Sequence, residues 1–232
     1  MAHSGHIKHP RTIKSYVVRS GRMTPGQEKA YSDLWSLYGI AADEQILDFN
    51  QLFARQAPVI LEIGFGMGDS LIEMAARHPD NNYLGIEVHR PGVGRLLGNI
   101  NERALTNLRV MQFDAVEVLT KQIRDETLTA VYLFFPDPWH KTRHHKRRIV
   151  QDDFIQLIRK KLLIHGQFHM ATDWEPYAVQ MLETMSQAPG FKNCARDGQY
   201  IPRPEHRPIT KFERRGERLG HGVWDILFEK TG

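Results

Sequence analysis

The chain has 232 residues, 41% hydrophobic and 25% charged, and one cysteine, Cys194. These values suit a single globular domain and exclude a wholly disordered chain, a collagen-like rod, a membrane-spanning helix, an intrachain disulfide and a four-cysteine zinc site. The formal charge is only +4, but it is uneven: residues 1–22 and 141–148 hold ten of the 31 basic residues and no acid, which leaves the remainder acidic, 21 against 27.

In chain order, residues 1–22 read as a basic, flexible arm, and residues 23–232 as one domain. The arm has no hydrophobic block of the kind that marks a secretion signal, so a cytoplasmic location is expected, with neither membrane nor obligatory protein partner. A polar helix over 25–38 leads into a connector. Strand-sized apolar runs then alternate with helical patterns. Strands are predicted at 59–64, 83–88, 108–113, 130–135 and 166–172, and helices at 69–77, 93–104, 116–123, 152–163 and 176–187. The alternation predicts an α/β fold, a mostly parallel sheet with helices on both faces. Residues 222–229 form a last strand with no helix after it, expected to pair antiparallel. Before it, residues 200–218 read as a long loop rich in proline and arginine, and such loops are usually functional.

Leu61-Glu-Ile-Gly-Phe-Gly-Met-Gly68 closes the first main strand. Gly64, Gly66 and Gly68 let the backbone turn tightly and come close to a ligand. A dinucleotide site would place its third glycine at position 69, where Asp69 stands, which disfavours a nicotinamide oxidoreductase. Acids close the strands in turn: Glu62, Glu87, Asp114 and Asp137. In an open α/β sheet these positions rim one crevice. Glu87 is placed to accept both hydroxyls of a ribose, and Asp114 to accept from the adenine amine. S-adenosylmethionine suits this rim, having a sulfonium charge, ribose and adenine but no phosphate. Alternatively, each acid could simply cap a helix.

After the fourth strand comes Phe134-Phe-Pro-Asp-Pro-Trp-His-Lys141, then the basic run Arg143, His144, His145, Lys146, Arg147 and Arg148. The prolines stiffen the backbone around Asp137. Trp139 offers a face for base stacking or, alternatively, a core anchor. The acid-free basic segments point to a polyanion partner. The histidine spacing matches no zinc motif and its surroundings are cationic, so no metal site is expected.

The stretches LEIGFGMG, GIEVHRPGVG, FFPDPWHKTRHHKRR, FHMATDWEPYA, TKFERRG and LGHGVWDILFE resemble the bacterial tRNA (guanine-N7-)-methyltransferases, from about residue 58 to the C-terminus. The resemblance implies a class I, Rossmann-like methyltransferase with a seven-stranded sheet. S-adenosylmethionine would be the donor, and N7 of guanine 46 in the tRNA variable loop the acceptor. By position, Glu62, Glu87, Asp114 and Asp137 would bind the donor beside the glycine loop, with Asp137 also the catalytic residue. Lys141, Asp173, Thr210, Lys211, Phe212 and Glu213 would bind substrate, and Arg143 to Arg148 would touch RNA. Either Glu213 or Asp173 could read the guanine edge, unless Glu213 pairs with Arg214 or Arg215. Competing readings are a methyltransferase for an exocyclic amine of DNA or RNA, and a non-catalytic RNA-binding module on the same fold. The first is disfavoured by Trp139, which stands where a second proline is usual.

Overall fold

The computed structural model describes residues 14–16, 21–43, 45–210, 213 and 222–232. Within them α1 (Pro25–Tyr38) and β1 (Gly39–Ile40) precede α2 (Phe49–Phe53) and β2 (Val59–Ile63). Next come α3 (Asp69–Arg77), β3 (Asn82–Ile86), α4 (Arg90–Glu102), β4 (Leu108–Met111), α5 (Ala115–Lys121) and β5 (Leu128–Phe134). A 3₁₀ turn at Thr142–Arg147 leads to α6 (Asp152–Lys161), β6 (Leu162–Thr172), α7 (Glu175–Gln187), β7 (Phe191–Asn193) and β8 (Trp224–Lys230).

The strands form one sheet in the order β1-β4-β3-β2-β5-β6-β8-β7. Pairings from β1 to β6 are parallel, whereas β8 runs antiparallel to both β6 and β7. The sheet therefore has eight strands rather than seven. The extra one, β1, is a two-residue edge strand beside β4, too short to show alternation. Chain direction across the sheet reverses between β2 and β5. That switch point opens a crevice at the carboxyl ends of the strands, where ligands bind in folds of this kind.

Each sheet face buries its own apolar cluster. Leu61, Ile63, Val131 and Phe168 pack towards α5, α6 and α7, while Ile60, Tyr83, Val110 and Tyr132 pack towards α3 and α4. All five residues of β2 are buried. α1 starts with a reciprocal cap in which Thr24 and Gln27 satisfy each other's backbone amides. It lies across α4 and shows the apolar cluster only partly buried side chains, Tyr31, Leu34 and Trp35.

The helices start and end within three residues of expectation, and two of the shifts have a clear cause. α6 ends at Lys161, not residue 163, because the buried Lys161 ammonium donates to the Ile123 carbonyl at 2.8 Å and to Asp125 at 2.6 Å. α4 starts at Arg90, with Pro91 in its first turn, where the missing amide costs nothing. Gly92, one residue on, lies so close to the glycine loop that an added Cβ would collide with the Gly66 carbonyl oxygen. Gly92→Ala is expected to cost about 1–3 kcal/mol of stability through overpacking. A lowered thermal midpoint would show this, and an unchanged one would mean that the loop gives way freely.

Candidate functional site

The glycine loop forms where β2 leaves the sheet. Gly64, Gly66 and Gly68 all have positive φ, 73°, 58° and 79°. A Cβ on Gly64 or Gly66 would meet no atom within 4 Å, whereas one on Gly68 would strike Leu96. The first two glycines thus leave open space for a ligand, and the third allows α3 and α4 to pack closely.

Glu87 binds this loop to the sheet. Its Oε2 accepts from the Gly66 amide at 2.8 Å, and its Oε1 accepts from the amides of Val88 and His89 at 2.6 and 2.9 Å. A carboxylate offers about four acceptor positions. One therefore remains on Oε2, so Glu87 has room for one further donor rather than the two ribose hydroxyls expected from sequence. Asp114 divides its oxygens differently. Oδ1 caps α5 by accepting from the Val116 amide at 3.0 Å, while Oδ2 lies 4.0 Å from the Lys14 ammonium. The helix-cap reading and the ligand reading of Asp114 are compatible, because they use different oxygens.

These groups border a cleft of about 430 Å³ at the switch point. Its walls come from the ends of β2, β3, β4 and β5, with Ser15 and Tyr16 of the arm alongside. Its described lining has three carboxylates, Glu87, Asp114 and Asp137, and neither lysine nor arginine. Such a lining favours a cationic ligand. Phe113, 39% exposed, and Leu133 supply apolar surface for a flat ring.

Glu62 lies behind that wall. Strand alternation turns it, like Ile60, towards α3 and α4. It is 3% exposed, and Oε2 finds no hydrogen-bond partner among the described residues. Ser70 Oγ, just past the glycine loop, is likewise buried and unpartnered. Buried polar atoms left unsatisfied call for a ligand or a water. Burial, and then the charge of Glu87, push the Glu62 carboxyl up to about 8.

Asp137 is solvent-exposed on the cleft rim. Phe135 and Trp139, on either side of the Pro-Asp-Pro segment, have φ of 51° and 46°. Non-glycine residues in this region carry strain, and such strain clusters at functional sites. The loop is held by its surroundings: the Phe135 amide donates to the Ala171 carbonyl at 2.7 Å, and Trp139 Nε1 donates to the Ser15 carbonyl at 3.0 Å. The Arg147 guanidinium lies 4.1 Å from the Trp139 ring centre. Trp139 thus joins arm, loop and basic turn, and is neither a free stacking face nor a core anchor.

The sequence matches a family model described as "Putative methyltransferase" over residues 56–226. It is 58% identical to a tRNA (guanine-N(7)-)-methyltransferase of Hydrogenovibrio crunogenus over 96% of this chain and 93% of that protein. A tRNA (guanine-N(7)-)-methyltransferase of Aliivibrio salmonicida is 60% identical over 95% and 93% respectively. The chain belongs to the tRNA (guanine-N(7)-)-methyltransferase family. Its fold also resembles that of the 16S rRNA methyltransferase KamB, with a TM-score of 0.60 at 15% identity, covering 81% of this chain and 95% of that one. TrmN from Thermus thermophilus gives a TM-score of 0.53 at 14% identity, covering 78% and 46%. At these identities the likeness concerns fold alone.

The structure brings Gly64, Gly66, Glu87, Asp114 and Asp137 to the cleft, and sets Glu62 and Gly68 behind it. Lys141, Arg143 and Lys146 are exposed, Lys146 in a neighbouring groove that shares Ser15, Asp114 and Ile149 with the cleft, and His144 and His145 are half-buried. Arg147 is occupied by the carbonyl of Lys14 and the Trp139 ring. Arg148 is buried: it donates to the Pro138 carbonyl at 2.9 Å and to Gln180 at 2.7 Å, so it braces the loop and offers no exposed charge for phosphate. Asp173 is half-buried at the end of β6, and no side-chain hydrogen bond engages its carboxylate among the described residues. Thr210 and Glu213 are described and cap each other: the Glu213 amide donates to Thr210 Oγ1 at 3.0 Å, and the Thr210 amide to Glu213 Oε2 at 3.3 Å. Lys211 and Phe212 lie outside the described residues, as do Arg214 and Arg215. Glu213 pairs with Arg207, a residue sequence reasoning missed; a single arginine in a loop of several carries no distinguishing signal.

A group whose folded-state value lies above its unfolded one holds its proton longer when folded. Glu62 therefore makes stability fall as pH rises from about 4.5 towards about 8. Glu62→Gln, neutral at every pH, is expected to flatten that slope and to gain stability on wild type at pH 8. Denaturant melts at pH 5 and pH 8 would test this, and parallel curves for the two proteins would contradict it.

Proposed function

We propose that this chain transfers the methyl group of S-adenosylmethionine to N7 of guanine in tRNA, and that the acceptor is guanine 46 of the variable loop. The observation that carries the reading is the carboxylate-lined cleft at the switch point, closed on one side by the strained Asp137 loop and flanked by exposed cations. The relatives at 58–60% identity, named for that reaction, support the same substrate.

The residues present fit the donor. The open space above Gly64 and Gly66 admits its amino-acid end, and the orphaned Glu62 Oε2 lies close by in the chain as an acceptor. Glu87 retains one acceptor position for ribose, and Asp114 Oδ2 one for adenine. When bound, S-adenosylmethionine supplies an electrophilic methyl group on a positively charged sulfur.

Guanine N7 has an in-plane lone pair and no proton, so the chain needs no strong general base. What the protein must do is align the purine and accommodate positive charge moving onto it. Asp137 is the exposed carboxylate on the rim, held by two prolines and two strained neighbours, and it serves as the counter-charge. Lys141, Arg143 and Lys146, exposed on and next to the 3₁₀ turn that follows the Asp137 loop in the chain, are available for phosphate.

Incubation with labelled S-adenosylmethionine and unmodified tRNA, then nuclease digestion and mass spectrometry, tests the assignment. The expected product is 7-methylguanosine, while label on an exocyclic amine would establish the competing chemistry. Asp137→Ala is expected to keep the fold and lose most turnover, about a hundredfold or more in kcat. Near wild-type turnover would remove Asp137 from the mechanism.

The basic turn gives a separate prediction. Arg143→Ala and Lys146→Ala should each lower the slope of log affinity for tRNA against log salt by about 0.7. Arg148→Ala should leave that slope in place and instead lower the melting temperature. The reverse pattern would mean that Arg148 turns outward to bind RNA.

A further inference from the structure

Among the described residues Arg207 is the largest fully buried side chain, at 1% exposure. It lies between two carboxylates and binds each through paired hydrogen bonds. On one side its NH1 and NH2 donate to the two oxygens of Glu213 at 2.7 and 2.8 Å. On the other its Nε and NH2 donate to the two oxygens of Asp225, on β8, at 2.6 and 2.8 Å. His169 of β6 completes the set, with Nε2 2.8 Å from Asp225 and Nδ1 3.1 Å from His206. The guanidinium also lies 5.9 and 5.7 Å from the ring centres of Phe134 and Phe135, the residues that open the Asp137 loop.

Glu213 is 2% exposed, and both its oxygens are committed to Arg207, with the Thr210 amide added to one of them. A carboxylate so engaged cannot also pair with the edge of a guanine. Asp173, at the end of the neighbouring β6, keeps its oxygens unengaged by side-chain hydrogen bonds among the described residues.

We infer that Arg207 is a positioning residue: through Asp225 and Glu213 it ties Glu213, and with it Thr210, to β8 behind the Asp137 loop, and Asp173, not Glu213, reads the Watson–Crick edge of the guanine. A buried charge triad of this kind is a poor source of stability compared with apolar packing, but its fork geometry specifies one arrangement. Burial works against ionisation of both partners, yet the hydrogen bonds and mutual charge outweigh it, lowering the Asp225 carboxyl and raising the Arg207 guanidinium relative to their ordinary values. His206 is held neutral, its ring pushed down to about 4 by burial and then by His169.

The inference rests on the methyl-transfer reading above, and wild-type activity on guanine-containing tRNA is the control that tests that reading separately. The first arm uses Arg207→Lys, which keeps the charge and loses the fork. It should lower kcat about a hundredfold, the scale of a small misplacement, while calorimetry shows S-adenosylmethionine affinity unchanged. Guanidinium ion added to Arg207→Gly should restore turnover, and ammonium at the same ionic strength should not. The second arm combines each acid variant with a tRNA carrying inosine at the target position, which lacks the exocyclic amine. Wild type should show a rate penalty for inosine. Glu213→Gln should show the same penalty on a lower kcat, and Asp173→Asn should abolish it. Loss of the inosine penalty in Glu213→Gln, or wild-type kcat in Arg207→Lys, overturns the inference. If Arg207 variants fail to fold, Glu213→Gln, which leaves the Asp225 side of the bridge in place, still decides it.

Discussion

The carboxylate of Glu87 is the interaction on which the site depends. It closes β3 and accepts three backbone amides, one from the glycine loop and two from the turn into α4. Hydrogen bonds to an ionised acceptor are shorter and stronger than neutral ones. They hold the loop in its left-handed turns with open space above Gly64 and Gly66. Because β2 and β3 pair in parallel, with Ile63 beside Ile86, the loop and Glu87 lie side by side at one sheet edge. The crevice follows from that register and from the reversal of strand order between β2 and β5.

Charge is sorted around this crevice. Carboxylates line the cleft, and cations are kept to the adjoining turn, the arm and the buried triad. The exposed basic residues and the buried ones do different work. Lys141, Arg143 and Lys146 face solvent, where a polyanion can reach them. Arg148 and Arg207 are spent inside the protein as planar forks that hold loops in place. Arginine suits that role because its donors are rigid and its charge persists when buried. Trp139 couples the two regions, since its indole N–H holds the arm and its ring faces Arg147.

Much of this was legible in the sequence, for physical reasons. Buried parallel strands read as near-continuous apolar runs, so β2, β3, β4 and β5 stood out against amphipathic helices. The acids at their ends could be aligned because strand and helix lengths were regular. Short edge elements, β1, α2 and β7, have too few residues to show a period. The end of α6 depended on a tertiary anchor, the Lys161 ammonium on Ile123 and Asp125, which no local pattern encodes. The same limit applied within the site. Glu213 has arginines beside it in the chain, yet its partner is Arg207, selected by the position of Asp225 on β8. Glu62 read as one more rim acid, but strand alternation turns it towards the helices behind the wall. Counting charges in the 141–148 run could not separate Arg148, buried against Gln180, from the exposed Arg143 and Lys146.

The account stands on the claim that the carboxyl ends of β2 to β5 hold the methyl donor. The most direct measurement is a crystal structure of this chain with S-adenosylhomocysteine. The account predicts adenosine in the cleft, a ribose hydroxyl on Glu87 Oε2, the adenine amine on Asp114 Oδ2, and the sulfur turned towards the Asp137 side. Electron density for the nucleoside at any other place on the protein, with Glu87 and Asp114 untouched, would contradict it.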